Sequence, residues 1–186
     1  MPARKQITKE RILQAALSLL KEQGFEAVTI KQLAAELGCS TQPVYLSFTG
    51  MDELRNELIP LAVQEFEACM KRSSPDGIIR LYDLSYVEFA RQEPRLFRFL
   101  FMRAGSFAEI KRSLLPLIER AVAQLMQTYS LSHEQADWLH DQLWMHAHGI
   151  AAMTATDFCD WDMDKVRRML EQCRRAFTEK REARHD

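Results

Sequence analysis

The segment Thr29–Phe48 constrains the fold of this 186-residue chain most strongly, because it has the pattern of two short helices joined by a tight turn. In its first part, apolar residues recur at positions i, i+3, i+4 and i+7, at Ile30, Leu33, Ala34 and Leu37. This spacing is typical of a helix that buries one face against a neighbour. We therefore expect a first short helix in the first half of the segment.

Local signals predict both ends of this first helix. Thr29, followed by Gln32 three residues later, has the pattern of a capping box, in which side chains satisfy the free amides of the first turn. Gly38 stands where the helix should end, because glycine adopts the left-handed backbone of such a turn without steric cost. The first helix is thus expected to be short and sharply bounded.

A second helix is expected to have Ser40 as its cap and Pro43 in its first turn, where a missing amide costs little. Val44 and Phe48 lie about one turn apart and can pack on the first helix. The remaining side chains are polar but weakly charged, which suits a helix placed in the major groove of DNA. These side chains are Thr41, Gln42, Tyr45 and Ser47.

The pattern resembles the DNA-binding domain of TetR-family transcriptional repressors, and it does so without a gap over residues 8–54. The resemblance implies a DNA-binding head over residues 1–54 and a helical ligand-binding and dimerisation domain over residues 55–186. The residues that carry it are Ile12, Ala15, Ala16, Leu19, Gly24, Phe25, Thr29, Ile30, Leu33, Ala34, Leu37, Gly38, Ser40, Val44, Tyr45, Phe48, Asp52, Glu53 and Leu54.

The resemblance also implies a function. We expect a ligand-responsive repressor that binds a palindromic DNA operator as a homodimer and is released by a small apolar or amphipathic molecule. The tyrosine that matches Tyr45 contacts the DNA backbone in the family, although packing against the opening helix remains open as an alternative. The residues expected to bind DNA are Arg4, Lys5, Thr29, Lys31, Ser40, Thr41, Gln42, Pro43, Tyr45 and Ser47.

Two residues depart from the family pattern. Met51 stands where a lysine is common, and Leu46 stands where a polar ring is common. Both changes are expected to weaken contact with the DNA backbone. Although the whole chain has a net charge of −1, its first eleven residues are clearly basic. This N-terminal arm, together with Lys31 and Arg55, is expected to compensate through phosphate contacts, with an ordinary solvated terminus as the alternative.

Composition indicates a globular chain without membrane segments. Charged residues make up 27% and apolar residues 47%, which is ordinary for a globular protein. The four cysteines form no CxxC pair, so we expect reduced thiols in a cytoplasmic protein. No apolar run approaches the roughly 20 residues that span a bilayer, and charges interrupt the apolar stretch near the start. We expect no signal peptide, no membrane partner and no cofactor.

Beyond Met51 almost every segment has helical periodicity, and no stretch alternates convincingly like a strand. The sequence therefore predicts an all-α fold, with a three-helix head on a larger bundle and about nine helices in total. Pro116 is expected to break or restart one helix. The segments expected to be helical after the head run over residues 52–70, 74–89, 95–102, 106–129, 132–154 and 164–180.

Aromatic and sulfur-containing side chains from several of these helices are expected to line the small-molecule pocket that the family resemblance implies. Residues of this kind form apolar pocket walls with a few polar tips, but they also form ordinary core, which stays open as an alternative. The residues are Phe66, Met70, Tyr82, Tyr86, Phe89, Phe101, Met102, Trp144 and His148.

Gly149 lies in the middle of a predicted helix, where glycine costs about 1 kcal/mol relative to alanine. A close helix approach in a four-helix dimer interface would explain it, and a packing defect without function is the alternative. The stretch Trp144–Gly149 also resembles a tryptophan and His-Gly pattern in the regulatory domain of one TetR subgroup. The residues expected at the interface are Leu139, Leu143, Gly149, Ile150, Val166, Leu170, Cys173 and Phe177.

Other functional classes find little support in the sequence. His133, Asp137 and His140 have helical spacing, but they complete no recognised ligand set, so we expect no metal site. The chain contains no recognised catalytic or phosphate-binding motif, so we expect no enzyme. Two alternatives stay open: a DNA-binding dimer whose bundle serves only for dimerisation or partner docking, and a small-molecule enzyme that uses the bundle.

Overall fold

A computed structural model describes residues 7–74, 80–105 and 107–182, and within these ranges the chain forms nine α-helices, one 3-10 turn and no β-strand. The prediction of an all-α fold is thereby confirmed. Arg4 and Lys5, both predicted to bind DNA, lie outside the described residues. The helices are α1 (Lys9–Gln23), α2 (Ile30–Glu36), α3 (Gln42–Ser47), α4 (Met51–Ser73), α5 (Leu84–Gln92), α6 (Pro94–Phe101), α7 (Phe107–Tyr129), α8 (His133–Ala155) and α9 (Met163–Glu182).

Side-chain caps define several helix ends as the sequence predicts. The Thr29 hydroxyl oxygen accepts a hydrogen bond from the Gln32 amide at 3.2 Å, at the start of α2, and this is the Thr29 half of the predicted capping box. Gly38 follows α2 with a φ of +62°, in the left-handed region that favours glycine. Ser132 and Gln135 form a complete capping box at the start of α8, with distances of 3.3 and 3.1 Å. These local signals therefore determine where the helices begin and end.

The predicted cap of α3 is wrong by one residue. Thr41, and not Ser40, occupies the cap position, and its backbone is already helical, with φ −70° and ψ −16°. The Thr41 carbonyl accepts from the Tyr45 amide at 3.2 Å, so the first turn is closed by the backbone and makes no side-chain cap. Pro43 lies in that first turn, as predicted.

Two further helix predictions also require correction. The helix expected to start near Ser74 begins at Leu84, because the Asp83 carboxylate caps it by accepting from the Leu84 amide at 2.8 Å. Tyr82 therefore precedes α5. Pro116 does not interrupt α7, which continues through it. Pro116 is exposed, so the carbonyl that lacks an amide partner lies on the hydrated side of the helix.

The head consists of α1, α2 and α3 packed around a small apolar centre. Ile12 and Ala16 of α1 meet Leu33 of α2, Val44 of α3 and Phe48, and all five side chains are at most 4% exposed. Burial of these side chains holds α3 against its support through one face only. The opposite face of α3 is left at the surface.

The helix α4 connects the head with the bundle. Leu54 and Leu58 near its start, and Phe66 and Met70 near its end, are all buried in one continuous core cluster. The predicted domain boundary between residues 54 and 55 therefore falls inside one helix and one core, and it remains a prediction. A rotation of α4 would carry the head with it.

The bundle is arranged around α8, which packs against α5, α6, α7 and α9. A second, smaller core cluster joins α7 to α8 through Val122 and Leu125 on one side and Leu139 and Leu143 on the other. Among the described residues, no helix has the length and apolar character that crossing a bilayer requires. The central position of α8 places its side chains against most of the bundle.

Candidate DNA interface and ligand cavity

One face of α3 projects away from the head. Val44 anchors the helix at 1% exposure, whereas Tyr45 is 64% exposed and Leu46 is 80% exposed. Thr41 and Gln42 are also exposed. The exposure of Tyr45 argues against the alternative in which it packs on the opening helix. Together these side chains form a surface on which hydroxyl, amide and apolar groups can all reach a partner.

The other residues predicted to bind DNA surround this surface with different degrees of availability. Thr29, Lys31 and Ser40 are exposed, but the Thr29 hydroxyl already caps α2. Ser47 is half-buried, and its hydroxyl donates to the Pro43 carbonyl at 2.8 Å. Pro43 itself is half-buried and serves chiefly to start the helix. Lys31 therefore supplies positive charge at this edge of the head.

Lys9 secures α1 to α4. Its ammonium group pairs with Glu57 and, at 3.5 Å, with Glu53, and it lies 4.8 Å from the centre of the Phe48 ring. The hydrogen bond with Glu57 is the largest influence that raises the pKa of Lys9. Glu53 also accepts from the Thr49 amide at 2.7 Å. These contacts hold the start of α4 beneath the head.

The junction between head and bundle is centred on Phe25, in the 3-10 turn that follows α1. Its ring lies 5.0 Å from the Phe99 ring of α6. The Arg55 guanidinium lies 5.0 Å from the centre of the same ring and pairs with Asp52 at 2.7 Å. Arg55, expected to compensate through phosphate contacts, is therefore engaged at the junction.

Arg103 reaches the same junction from the loop after α6. Its guanidinium lies 4.7 Å from the Phe99 ring centre and 5.9 Å from that of Phe25, and its Nε donates to the Phe99 carbonyl at 3.0 Å. Burial, followed by the neighbouring Arg55 charge, lowers the pKa of Arg103. Arg103 also lines a cavity in the bundle, so one side chain contacts both regions.

That cavity, of about 460 Å³, lies among α6, α7 and α8. Its walls are mainly apolar and include Leu100 and Phe101 of α6, Leu114 and Ile118 of α7, and Trp144 of α8. A cleft of this volume whose walls are mainly apolar is typical of a small-molecule site. We refer to it below as the α6–α8 cavity.

Two histidines of α8 line the α6–α8 cavity. The Nδ1 of His148 lies 3.0 Å from the hydroxyl of Tyr86, which is completely buried. His140 is 2% exposed, neither of its ring nitrogens has a hydrogen-bond partner, and the nearest carboxylate oxygen, on Asp141, is 3.6 Å from Nδ1. Burial lowers the pKa of both imidazoles, so both are neutral at pH 7.

The side chains predicted to line a ligand pocket are separated by the structure into distinct groups. Three line the α6–α8 cavity, namely Phe101, Trp144 and His148. Four are completely buried in the core, namely Phe66, Met70, Tyr86 and Phe89. Tyr82 lines a different cavity, and Met102 is 41% exposed outside the lining of both.

Several cavity residues are not predicted as lining residues by the sequence. They are His140, whose spacing with His133 and Asp137 indicates only a metal ligand, and Arg103, Leu114 and Ile118. The apolar spacing of Ile110, Leu114 and Ile118 on α7 could have identified one wall. Nothing local to Arg103 indicates its position, because that depends on how the loop after α6 meets the head.

The cavity that Tyr82 lines, of about 570 Å³, lies among α5, α7, α8 and α9. Charged side chains of both signs surround it, including Glu88 and Arg167. Burial raises the pKa of Tyr82 to about 12. Its lining exposes a larger share of polar surface than that of the α6–α8 cavity, so it fits a small apolar molecule less well.

No metal site is evident in the part of the chain that the structure describes, where no three potential ligand side chains are grouped around one point. His133 and Asp137 are exposed at the rim of the α6–α8 cavity, whereas His140 is buried inside it. Their helical spacing puts all three at one cavity, but their side chains are not grouped around one point.

The residues predicted at the dimer interface are mostly internal. Gly149, Cys173 and Phe177 are half-buried. The other five pack within the protomer, at most 9% exposed, because they form the contacts of α8 and α9 with the rest of the bundle. Their side chains are not available to a partner. They are Leu139, Leu143, Ile150, Val166 and Leu170.

A different stripe on α8 is exposed and partly apolar. Trp138 is 46% and Met145 is 52% exposed, and half-buried Gly149 and Ala152 continue the same face toward the end of the helix. Apart from its two chain neighbours and the backbone of its own helix, no heavy atom of the described protomer lies within 4 Å of a Cβ built on Gly149. The close helix approach predicted at Gly149 is therefore not found inside the protomer.

The architecture of the chain is similar to that of two solved structures. The fold is similar to that of RolR solved without ligand, with a TM-score of 0.55 and 14% identity over 87% of this chain and 95% of that chain. It is also similar to NalD of Pseudomonas aeruginosa, described as the secondary repressor of the MexAB-OprM multidrug efflux pump. That match has a TM-score of 0.54 and 18% identity, and it covers 90% of this chain and 94% of NalD.

Sequence comparisons agree with the structural ones. An uncharacterised HTH-type transcriptional regulator of Mycobacterium tuberculosis is 23% identical over 163 residues, which cover 85% of this chain and 74% of the relative. The family model described as bacterial regulatory proteins, tetR family, matches residues 12–58. The model described as tetracyclin repressor-like, C-terminal domain, matches residues 83–177. The chain therefore belongs to the TetR family of transcriptional regulators, with an N-terminal DNA-binding head and a C-terminal regulatory domain.

Proposed function

We propose that this protein is a ligand-responsive repressor that binds a palindromic operator as a homodimer in the cytoplasm. A small apolar or amphipathic molecule in the α6–α8 cavity releases it from DNA. The observation that carries this proposal is the position of Arg103, which lines the cavity and lies over the Phe25 ring of the head. Repression agrees with the described role of NalD, which shares the fold.

In this proposal α3 enters the major groove with its exposed face. Gln42 can pair bidentately with adenine, and Thr41 can bond either partner of a base pair. The Tyr45 phenol, which is 64% exposed, is placed to donate to a phosphate. Leu46, 80% exposed, offers an apolar contact of the kind made with a thymine methyl group. Lys31 adds charge at the edge, together with Arg4 and Lys5 of the arm.

Dimerisation is proposed through the exposed stripe of α8 together with α9. Trp138 and Met145 are large apolar side chains with about half of their surface exposed, which a partner would cover. Gly149 lets a second helix approach closely, since no protomer atom fills the space beside it. A two-fold axis near Gly149 would pair α8 and α9 with their copies in a four-helix interface.

Release from DNA requires that the cavity changes the position of the head. A ligand that contacts Arg103 displaces its guanidinium from the Phe99 and Phe25 rings and so loosens the junction. Lys21 of α1 pairs with Glu65 of α4 at 3.0 Å and with Glu93 at 3.3 Å, so a shift of α4 is transmitted to α1. Full release needs about 5.5 kcal/mol of differential affinity between the two states.

The DNA part of the proposal is tested by selecting duplexes from a random pool with the full chain. We expect a two-fold symmetric sequence whose half-site centres are one helical turn or slightly more apart. Enrichment of an asymmetric site, or no enrichment, would contradict the proposed dimer on a palindrome.

The effector part is tested on the selected duplex by fluorescence anisotropy against a panel of small apolar and amphipathic compounds. A compound that stabilises the chain thermally and also releases the duplex supports the proposal. Compounds that bind the bundle without changing duplex affinity would instead favour a bundle that serves only for dimerisation or partner docking.

A further inference from the structure

One wall of the α6–α8 cavity includes the buried imidazole of His140. His140 is 2% exposed, and both of its ring nitrogens are without a hydrogen-bond partner. The nearest carboxylate oxygen lies 3.6 Å away, which is beyond hydrogen-bond distance. Buried polar groups are almost always hydrogen-bonded, so an imidazole left in this way at a cavity wall indicates a polar group of a ligand.

His148 supplies a second polar group to the lining of the cavity. Its Nδ1 lies 3.0 Å from the Tyr86 hydroxyl, and the two groups share one hydrogen bond. This bond occupies Nδ1 and leaves Nε2 as the second polar atom of the ring. His148 therefore offers Nε2 to a polar group of a ligand.

The charges around the cavity favour an uncharged ligand. The lining includes the cations Lys111 and Arg103 and the anions Glu119, Asp137 and Asp141, so neither sign dominates. Burial lowers the pKa of both imidazoles, so both are neutral at pH 7. Neither histidine therefore supplies a charge that would balance an ionic group of a ligand placed beside it.

The two histidines line the same cavity as two aromatic side chains. His140 and His148 lie eight residues apart on α8, which is about 12 Å of rise along the helix axis, and Trp144 is midway between them in sequence. One ligand can therefore present a polar group to each imidazole. An aromatic ring of that ligand would lie against Trp144 and Phe101.

We infer that the α6–α8 cavity binds an uncharged aromatic compound that carries oxygen-containing groups on opposite edges of its ring, one bound by His140 and one by His148. The inference deepens the proposed function, on which it rests, by naming the chemical class of the effector. Leu100, Leu114 and Ile118 close the apolar sides around the ring.

Calorimetric titration of the full chain tests this inference with three probes of similar shape. The first, 4-(hydroxymethyl)phenol, is uncharged and has an oxygen at each end. The second, 4-ethylphenol, lacks one oxygen, and the third, 4-hydroxybenzoate, carries a charge. We expect the first to bind about tenfold more tightly than the second, because a buried partner is left unpaired, and more tightly than the third. Tighter binding of the benzoate, or no saturable binding of the first probe, would overturn the inference.

Two histidine variants sharpen the test. His140→Leu and His148→Leu should each weaken binding of 4-(hydroxymethyl)phenol about tenfold. His146→Leu is the matched control, because His146 lies on the same helix but lines the other cavity, and it should leave the affinity unchanged. Equal affinities in all three variants would overturn the inference.

A measurement on the wild-type chain does not depend on whether the variants fold. Imidazole ¹⁵N resonances of the full chain should shift for His140 and His148 on addition of 4-(hydroxymethyl)phenol and stay in place for His146; unchanged signals for both cavity histidines contradict the inference.

Operator release is measured separately. If the probe binds at these histidines but releases no DNA, the proposed function fails and the inference stands. If another class of compound releases DNA and the probe does not bind, only the inference fails.

Discussion

The exposed face of α3 and the α6–α8 cavity differ in the kind of side chain that each places in an unfavourable environment. On α3, Leu46 is an apolar side chain that is 80% exposed. In the cavity, His140 is a polar side chain that is 2% exposed and has no hydrogen-bond partner. Neither arrangement stabilises the folded chain, since apolar groups favour burial and buried polar groups favour hydrogen bonds. In the proposed function, each region has this character because of what it binds.

The largest expected effect is the loss of operator affinity when the exposed face of α3 is changed. Replacing Gln42 and Tyr45 together by alanine should lower operator affinity by about 4 kcal/mol, or about a thousandfold, because each contact is lost in both half-sites. The free energy of unfolding should change by less than about 0.5 kcal/mol, since both side chains are exposed. Anisotropy titration and urea unfolding measure the two quantities.

Gln172→Ala, on the exposed surface of α9, is the control for DNA affinity and should bind like the wild type. If the double variant lost stability and kept its affinity for DNA, the exposed face of α3 would be structural.

Met145 provides a second exposed apolar side chain, proposed to meet a partner protomer. Met145→Glu should weaken dimerisation about a hundredfold or more, because the charge is buried twice across the two-fold axis. Met102→Glu is the matched control, since Met102 is exposed to a similar degree, 41% against 52%. Sedimentation equilibrium distinguishes them, and a Met145→Glu chain that remains as dimeric as the control would place the interface elsewhere.

Arg103 contacts the Phe25 ring and also lines the α6–α8 cavity. Its removal should therefore uncouple effector binding from release of DNA. Arg103→Ala should lower the free energy of unfolding by about 1 kcal/mol through the lost contacts with the Phe25 and Phe99 rings. An effector should still bind this variant but no longer release it from DNA. Arg98→Ala, on the exposed side of α6, should retain both properties. Normal release from Arg103→Ala would show that coupling follows another route.

The smallest expected effect concerns the buried histidines. In the unfolded chain their imidazoles bind protons below about pH 6.5, whereas burial lowers the pKa of His140 and His148 in the folded chain. The unfolded state therefore binds more protons, and stability should fall as the pH decreases below about 6.5. His140→Leu should reduce this slope and raise stability at pH 7 by about 1 kcal/mol. Urea unfolding at several pH values checks this, and an unchanged slope would contradict it.

The head could be predicted in detail because its signals are local. Thr29, Gly38 and Pro43 each specify the backbone within a few residues, and the structure places all three as expected. The error at Ser40 is also local, since the Thr41 carbonyl closes the first turn of α3 in a way that composition does not reveal. Helix periodicity likewise predicted the all-α bundle.

The cavity could be predicted only in part because it depends on contacts between distant segments. Trp144 and His148 were predicted as lining residues from their type alone, whereas Phe66 and Phe89 have the same character and are buried in the core. Arg103 carries no local signal of its position over Phe25. Periodicity shows which face of a helix is buried, but it does not show whether that face meets a core or a cavity.

The most direct test of the proposed coupling is hydrogen exchange of the full chain with and without its selected operator. Linkage requires that DNA at the head affects the cavity as a ligand in the cavity affects the head. We predict that operator binding changes amide protection over residues 100–118, which connect Arg103 with the cavity wall, and that Arg103→Ala abolishes this change. Protection confined to residues 9–60, with identical exchange in the bundle of the wild type, would contradict the coupling.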